Sequence, residues 1–155
     1  MLMRRRLAVL LLTVPLALGA TSAVADTLQG TRAADTLVGT AGADTINGRA
    51  GDDTIQGREG DDRLNGGVGN DTIAGDAGND IIKGGPGDDL LLGGSGRDRI
   101  AGGPGQDTII GGNGDDAISA RDGEVDTIRC GAGRDRVTAD AGDHVARDCE
   151  VVTRG

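Results

Sequence analysis

The 155 residues include no Phe, Tyr or Trp, two Cys, three Pro, one His and a single Lys, Lys83. Without aromatic side chains, the largest contributors to an ordinary hydrophobic core are missing. One histidine, His144, excludes a paired-histidine zinc peptidase site within the chain. No GxSxG elbow or comparable nucleophile setting is present, so the sequence predicts a protein that is not an enzyme. Glycine and acid are abundant instead, with 30 Gly and 25 Asp or Glu against 16 Lys or Arg.

Arg4, Arg5 and Arg6 precede an apolar run from Leu7 to Ala20, and Ala23-Val24-Ala25 places small residues where a signal peptidase cuts. Residues 1–25 read as a secretory signal peptide cleaved before Asp26. An uncleaved anchor is the alternative, but the run falls short of the ~20 apolar residues a bilayer span needs. The expected product is secreted, extracellular and not inserted in a membrane, with its general or twin-arginine export route left open. Loss of the three arginines takes the formal charge from −9 to −12. Such acidity argues against nucleic acid and anionic membranes as partners and in favour of cations.

From Gly30 to Ser119 the chain is ten nine-residue units opening at Gly30, Gly39, Gly48, Gly57, Gly66, Gly75, Gly84, Gly93, Gly102 and Gly111. Aspartate stands sixth in each unit and Leu or Ile eighth, which signals a stacked architecture. One inward aliphatic per unit is little burial against the entropy of ordering a glycine-rich backbone, so something else must stabilise the fold. The opening places, as in GGVGND from Gly66 and GGPGDD from Gly84, suit a tight turn. The next three or four residues, such as Asp71-Thr72-Ile73-Ala74, alternate as a short strand does. Two units complete a coil, and the expected fold is all-β, a right-handed parallel β-roll or β-solenoid over residues 26–138. Units k and k+2 then stack at ~4.8 Å.

That stacking aligns Asp35, Asp53, Asp71, Asp89 and Asp107 along one edge and Asp44, Asp62, Asp80, Asp98 and Asp116 along the other. Bare carboxylates this close repel by ~1 kcal/mol per pair even in bulk water, and a divalent cation between rungs reverses the sign. Carboxylate and carbonyl oxygen, without imidazole or thiolate, select Ca2+.

These units resemble the RTX (repeats-in-toxin) calcium-binding nonapeptide, G-G-x-G-x-D-x-U-x with U a large aliphatic. The resemblance is continuous from Gly30 to Ser119 and irregular to Thr138. It implies a parallel β-roll with calcium between turns, bound by sixth-place aspartates and backbone carbonyls. The implied ligands are Asp44, Asp53, Asp62, Asp71, Asp80, Asp89, Asp98, Asp107 and Asp116, with Asp126 and Asp135 beyond the regular array. Glycine places match fully at Gly66, Gly67 and Gly69, at Gly84, Gly85 and Gly87, and at Gly93, Gly94 and Gly96. They do so again at Gly102, Gly103 and Gly105 and at Gly111, Gly112 and Gly114. Thr40, Arg49, Arg58 and Asp76 replace the second glycine, and the first unit, GTRAADTLV, has lost two glycines. Fifth-place Asp52, Asp61, Asn70, Asn79, Asp88 and Asp115 are read as turn caps.

Ten units stacked two apart allow at most eight calcium ions, +16 against −12, so folding coupled to calcium is expected. Relatives often carry a protease, lipase or toxin domain upstream, whereas here only the leader precedes the repeats. A non-catalytic structural or surface component is expected, or an accessory domain for a separately encoded enzyme.

Past Ser119 the period slips, because Ala120 to Arg129 takes ten residues. Cys130 stands where an opening glycine belongs, and residues 139–155 read as a cap and tail. A Cys130–Cys149 disulfide would tie that cap to the last rung, worth ~3 kcal/mol in the chain-entropy model. Outward strand places differ between the two sides. Thr36, Thr54, Thr72, Leu90 and Thr108 head an uncharged face. That Thr36/Thr54/Thr72/Thr108 surface supports an adhesin-like alternative that contacts protein, polysaccharide or a second copy. The opposite side, with Arg63, Lys83 and Arg99, reads as ordinary solvated surface.

Overall fold

The structure is a computed structural model and is described for residues 24–155. Apart from the exposed Val24 and Ala25, the segment expected as a signal peptide lies outside the described residues. Fifteen β-strands and no helix make up those residues. The first seven are β1 (Thr27–Gln29), β2 (Thr36–Val38), β3 (Thr45–Ala50), β4 (Thr54–Glu59), β5 (Arg63–Val68), β6 (Thr72–Ala77) and β7 (Ile81–Lys83). Then follow β8 (Leu90–Ser95), β9 (Arg99–Ala101), β10 (Thr108–Asn113) and β11 (Ala117–Ala120). Last come β12 (Thr127–Ala132), β13 (Arg136–Ala139), β14 (His144–Val145) and β15 (Val151–Arg154).

Odd strands form one eight-stranded sheet and even strands one seven-stranded sheet. Every pairing is parallel, between strands two apart, as stacking of units k and k+2 requires. The register aligns equivalent places, Ile46 with Leu64 and Ile55 with Ile73, so the inward aliphatics form one continuous row per sheet. These rows are the core, buried from Ile46 to Val137, partly open at Leu28, Leu37 and Val145 and exposed at Val152.

Most interior strands are longer than expected, six residues in β3, β4, β5, β6, β8, β10 and β12, because they run into the glycine loop. Strands β7 and β9 stop at three, at Lys83 and Ala101. Their loops carry Pro86 and Pro104 in the third place, where a ring nitrogen has no N–H for the ladder. The slip after Ser119 is absorbed in Arg121–Val125, which is exposed throughout. Beyond it the sheets resume with an offset of one, pairing Ile109 with Ile128 and Ile118 with Val137.

Residues 139–155, expected as a disulfide-tied cap, take the form of one more coil: β14 pairs with β12 and β15 with β13. The chain can do this because Asp143-His144-Val145 and Glu150-Val151-Val152 keep the acid–x–aliphatic order of the repeat. All of β15 is exposed, Val151 by 48%, so the roll ends in an open edge. The expected Cys130–Cys149 disulfide is present, with Cα atoms 5.2 Å apart, and ties this final coil to β12.

Candidate metal-binding columns

The register brings the sixth-place aspartates into two columns inside the loops, and one hydrogen bond repeats along each. The backbone N–H of one aspartate donates to Oδ1 of the aspartate a coil later. Asp53 N lies 2.8 Å from Asp71 Oδ1, Asp80 N 2.8 Å from Asp98 Oδ1, and Asp116 N 2.8 Å from Asp135 Oδ1. Each carboxylate so placed commits one oxygen to the preceding coil. The other is left over. Oδ2 of Asp53, Asp62, Asp71, Asp80, Asp89, Asp98, Asp107, Asp116, Asp126 and Asp135 is buried without a hydrogen-bond partner.

An unpartnered buried carboxylate oxygen is costly, and ten in two files cannot be incidental. Burial is the leading cause of raised pKa along both columns, with Asp80, Asp89 and Asp126 pushed to about 7 and Asp107 and Asp116 to about 6. The N–H bond from the preceding coil works the other way without overcoming it, and neighbouring carboxylates add to the rise. Asp53, Asp62, Asp71, Asp98 and Asp135 are raised as well, chiefly by burial.

The orphan oxygens lie over the first-place glycines. A Cβ on Gly75 would collide with Asp80 Oδ2 and with the carbonyl oxygen of Gly93 one coil on, so carboxylate and main-chain oxygen converge there. Second-place Gly67, Gly85, Gly94, Gly103 and Gly112 and fourth-place Gly69, Gly87, Gly96, Gly105 and Gly114 take positive φ, while first-place Gly66, Gly84, Gly93, Gly102 and Gly111 are buried beneath their aspartates. No group of three or more His, Cys, Asp or Glu side chains gathers among the described residues. A cation in these loops would draw its remaining ligands from backbone carbonyls. That is an all-oxygen, adaptable donor set of the kind calcium takes.

The first two loops are built differently. Thr40 N donates to Asp44 Oδ2 at 2.6 Å, the Thr40 hydroxyl lies 3.1 Å from Oδ1, and Asp26 N donates to Oδ1 at 2.6 Å. Thr31 treats Asp35 alike, through its N–H at 2.5 Å and its hydroxyl at 2.9 Å. The hydroxyls then accept from Ala33 N and Gly42 N, closing a threonine turn in which neither threonine takes positive φ. Asp44, a ligand expected from the sequence, is therefore fully hydrogen-bonded and does not share the setting of the ten. Arg49, Arg58 and Asp76 replace the same glycine yet keep its conformation, with φ of 82°, 84° and 71°. A side chain there costs ~1–2 kcal/mol.

Two acids continue the columns beyond the residues expected from the sequence. Asp143 Oδ1 accepts from Asp126 N and Glu150 Oε2 from Asp135 N. Their acid–x–aliphatic triplets were the available signal. Fifth-place side chains behave as turn caps, forming an exposed ladder in which Asn70 N donates to Asp52 Oδ1 and Asp88 N to Asn70 Oδ1.

Burial also relocates the protein's acidity. Twelve of the 25 acidic residues are buried aspartates, which leaves thirteen to face thirteen basic residues once Arg4, Arg5 and Arg6 are set aside. The surface of the described residues is formally neutral.

Two parallel sheets wound into a solenoid, with carboxylate files in the loops, define a β-roll of the metal-binding kind. The family model of the RTX calcium-binding nonapeptide repeat (4 copies) matches residues 22–55, 38–73, 56–91, 65–100, 92–124 and 122–143, and the chain belongs to that family. The repeats of this family bind calcium. No curated protein matches the chain.

Proposed function

We infer that calcium is what orders this protein, filling the intervals between successive orphan carboxylates and turning an acidic, weakly apolar chain into a rigid roll. The observation that carries this is the file of ten buried Oδ2 atoms without partners. They fall into two columns of five, Asp53 to Asp126 and Asp62 to Asp135, and so define eight intervals. The number equals the expected ceiling of eight, but the array is displaced one coil towards the C terminus. Bound calcium would supply two positive charges per interval; the chain supplies carboxylate and carbonyl oxygens and excludes water with its aliphatic rows. The reading is of a non-catalytic structural component. Placement outside the cell is favoured by the disulfide and by a leader of signal-peptide composition. Circular dichroism of the full chain with calcium and with excess chelator tests this: β-structure should appear only with calcium.

A second reading, a calcium-dependent adhesin-like module, is favoured by the register of the seven-stranded sheet. Thr36, Thr54 and Thr72 stack outward, then Leu90, then Thr108 and Thr127. Lysine at Thr54, Thr72 and Thr108 should abolish contact with a partner while leaving calcium-dependent folding intact.

A further inference from the structure

The eight-stranded sheet carries a feature that sequence order conceals. Its outward seventh places align Arg63, Ile81, Arg99, Ala117 and Arg136 in one row. Arginine thus recurs at every second rung, about 9.6 Å apart. Two places earlier in each unit, Arg97 and Arg134 flank Asp115 in the adjoining loop ladder, Arg97 on Asn79 and Arg134 on Asp115. Four arginines from chain segments far apart in sequence therefore line one open cleft of about 390 Å³, together with Ala117 and Val151.

Little within the described residues neutralises them. The single ion pair there joins Arg97 and Asp115, both exposed, at 3.6 Å. The side chains of Arg99, Arg134 and Arg136 make no hydrogen bond or ion pair among the described residues. Asp98 and Asp116 of the same cleft are column aspartates, buried behind it. With calcium between those aspartates, the exposed charge here is that of four arginines against one aspartate.

The next row on this face, Asn65, Lys83, Ala101, Ser119 and Thr138, supplies amide, ammonium and hydroxyl groups beside the arginines. There is no aromatic residue anywhere in the chain, so neither a nucleic-acid base nor a sugar ring has an aromatic stacking platform. What remains is recognition of charge and hydroxyls along a line. Guanidinium forks match the two free oxygens of a phosphodiester. The sideways step from Arg99 to Arg97 and from Arg136 to Arg134 suits a chain of freely rotating single bonds better than a stiff one. A densely carboxylated polymer would also compete with the columns for calcium, whereas isolated phosphodiesters, with one charge each, do so weakly.

We propose that the C-terminal half of the eight-stranded sheet, through Arg97, Arg99, Arg134 and Arg136, is a docking surface for a linear polyol phosphate polymer. This rests on the calcium reading above, because calcium removes the negative charge lying behind the cleft. The test is binding of poly(glycerol phosphate) to the calcium-loaded full chain, measured across a series of salt concentrations. The Arg99→Ser/Arg136→Ser variant should bind about tenfold more weakly and lose about 1.4 from the slope of log affinity against log salt, two contacts at about 0.7 each. Arg32→Ser, at the far end of the roll, should leave binding unchanged. Arg99→Lys/Arg136→Lys should keep the salt slope while weakening affinity, since an ammonium lacks the fork. Circular dichroism on the same samples reports the calcium-dependent fold, so a failed fold and a failed surface are told apart. Binding undiminished in Arg99→Ser/Arg136→Ser would overturn the surface. Equal or tighter binding of single-stranded DNA or of a polyuronate would overturn the assigned occupant.

Discussion

The first two loops and the coils that follow solve one problem with different atoms. At Asp35 and Asp44 the second carboxylate oxygen is met by a threonine N–H and hydroxyl; from Asp53 to Asp135 it is met by nothing in the protein. A hydroxyl satisfies one oxygen and joins no second aspartate. A cation satisfies several oxygens and crosslinks coils. On the calcium reading proposed above, the carboxylates at the start of this roll are satisfied by the chain itself, and those along the rest of its length depend on a cation.

The largest effect that would sharpen this contrast is loss of a column carboxylate. Asp80→Asn removes the shared member of two intervals, so calorimetry should count two fewer calcium ions, with stability down by several kcal/mol at saturating calcium. At 100 times Kd each ion contributes about 2.7 kcal/mol. Asp44→Asn should leave the count unchanged; a drop there equal to that of Asp80→Asn would erase the distinction between the two regions.

Acidity should act next, and its sign depends on the metal. Asp80, Asp89, Asp107, Asp116 and Asp126 have folded-state pKa values of about 6 to 7 against an ordinary 3.8, so without calcium the folded chain binds more protons than the unfolded one. That contribution to stability is fully present below pH ~4 and is lost as pH rises through ~7. Chelated protein should therefore gain β-structure on acidification, while calcium affinity should fall over the same range as protons compete for the carboxylates. A chelated chain whose β-signal is greatest at neutral pH would contradict the buried-column account.

The disulfide comes third. Cys130→Ser/Cys149→Ser should destabilise the last coil by about 3 kcal/mol, seen as faster hydrogen exchange in β14 and β15 with the central strands unaffected. Smallest is the strain at Arg58. Arg58→Gly should stabilise the calcium-loaded roll by up to about 1 kcal/mol in thermal melts, since glycine takes positive φ freely. Thr40→Gly in the equivalent place should instead destabilise, because it removes the hydroxyl that Asp44 uses.

Much of this was legible in the sequence, because a strict nine-residue period dictates the stacking partner of every place. Ile46 over Leu64 and the two aspartate columns follow from it, while the Cys130–Cys149 pairing followed from there being just two cysteines in a chain read as exported. The departures were harder to interpret. Thr40, Arg49, Arg58 and Asp76 look alike as losses of the second glycine, yet only the threonine has a hydroxyl short enough to close the turn; the other three tolerate a strained backbone. That the C-terminal cap is itself a coil was hidden because glycine was taken as the mark of a coil. Asp143 and Glu150 show that the acid–x–aliphatic triplet suffices. The arginine cleft was invisible because Arg97 and Arg134 lie far apart in the chain and meet only through stacking with a one-residue slip between them.

The central claim is most directly tested by titrating the full chain with calcium while following circular dichroism and the number of ions bound. A conversion from a largely disordered to a β-rich spectrum, complete as about eight ions bind, is the expected result, eight being the intervals between the ten orphan carboxylates. The same β-rich spectrum in excess chelator at neutral pH would contradict it.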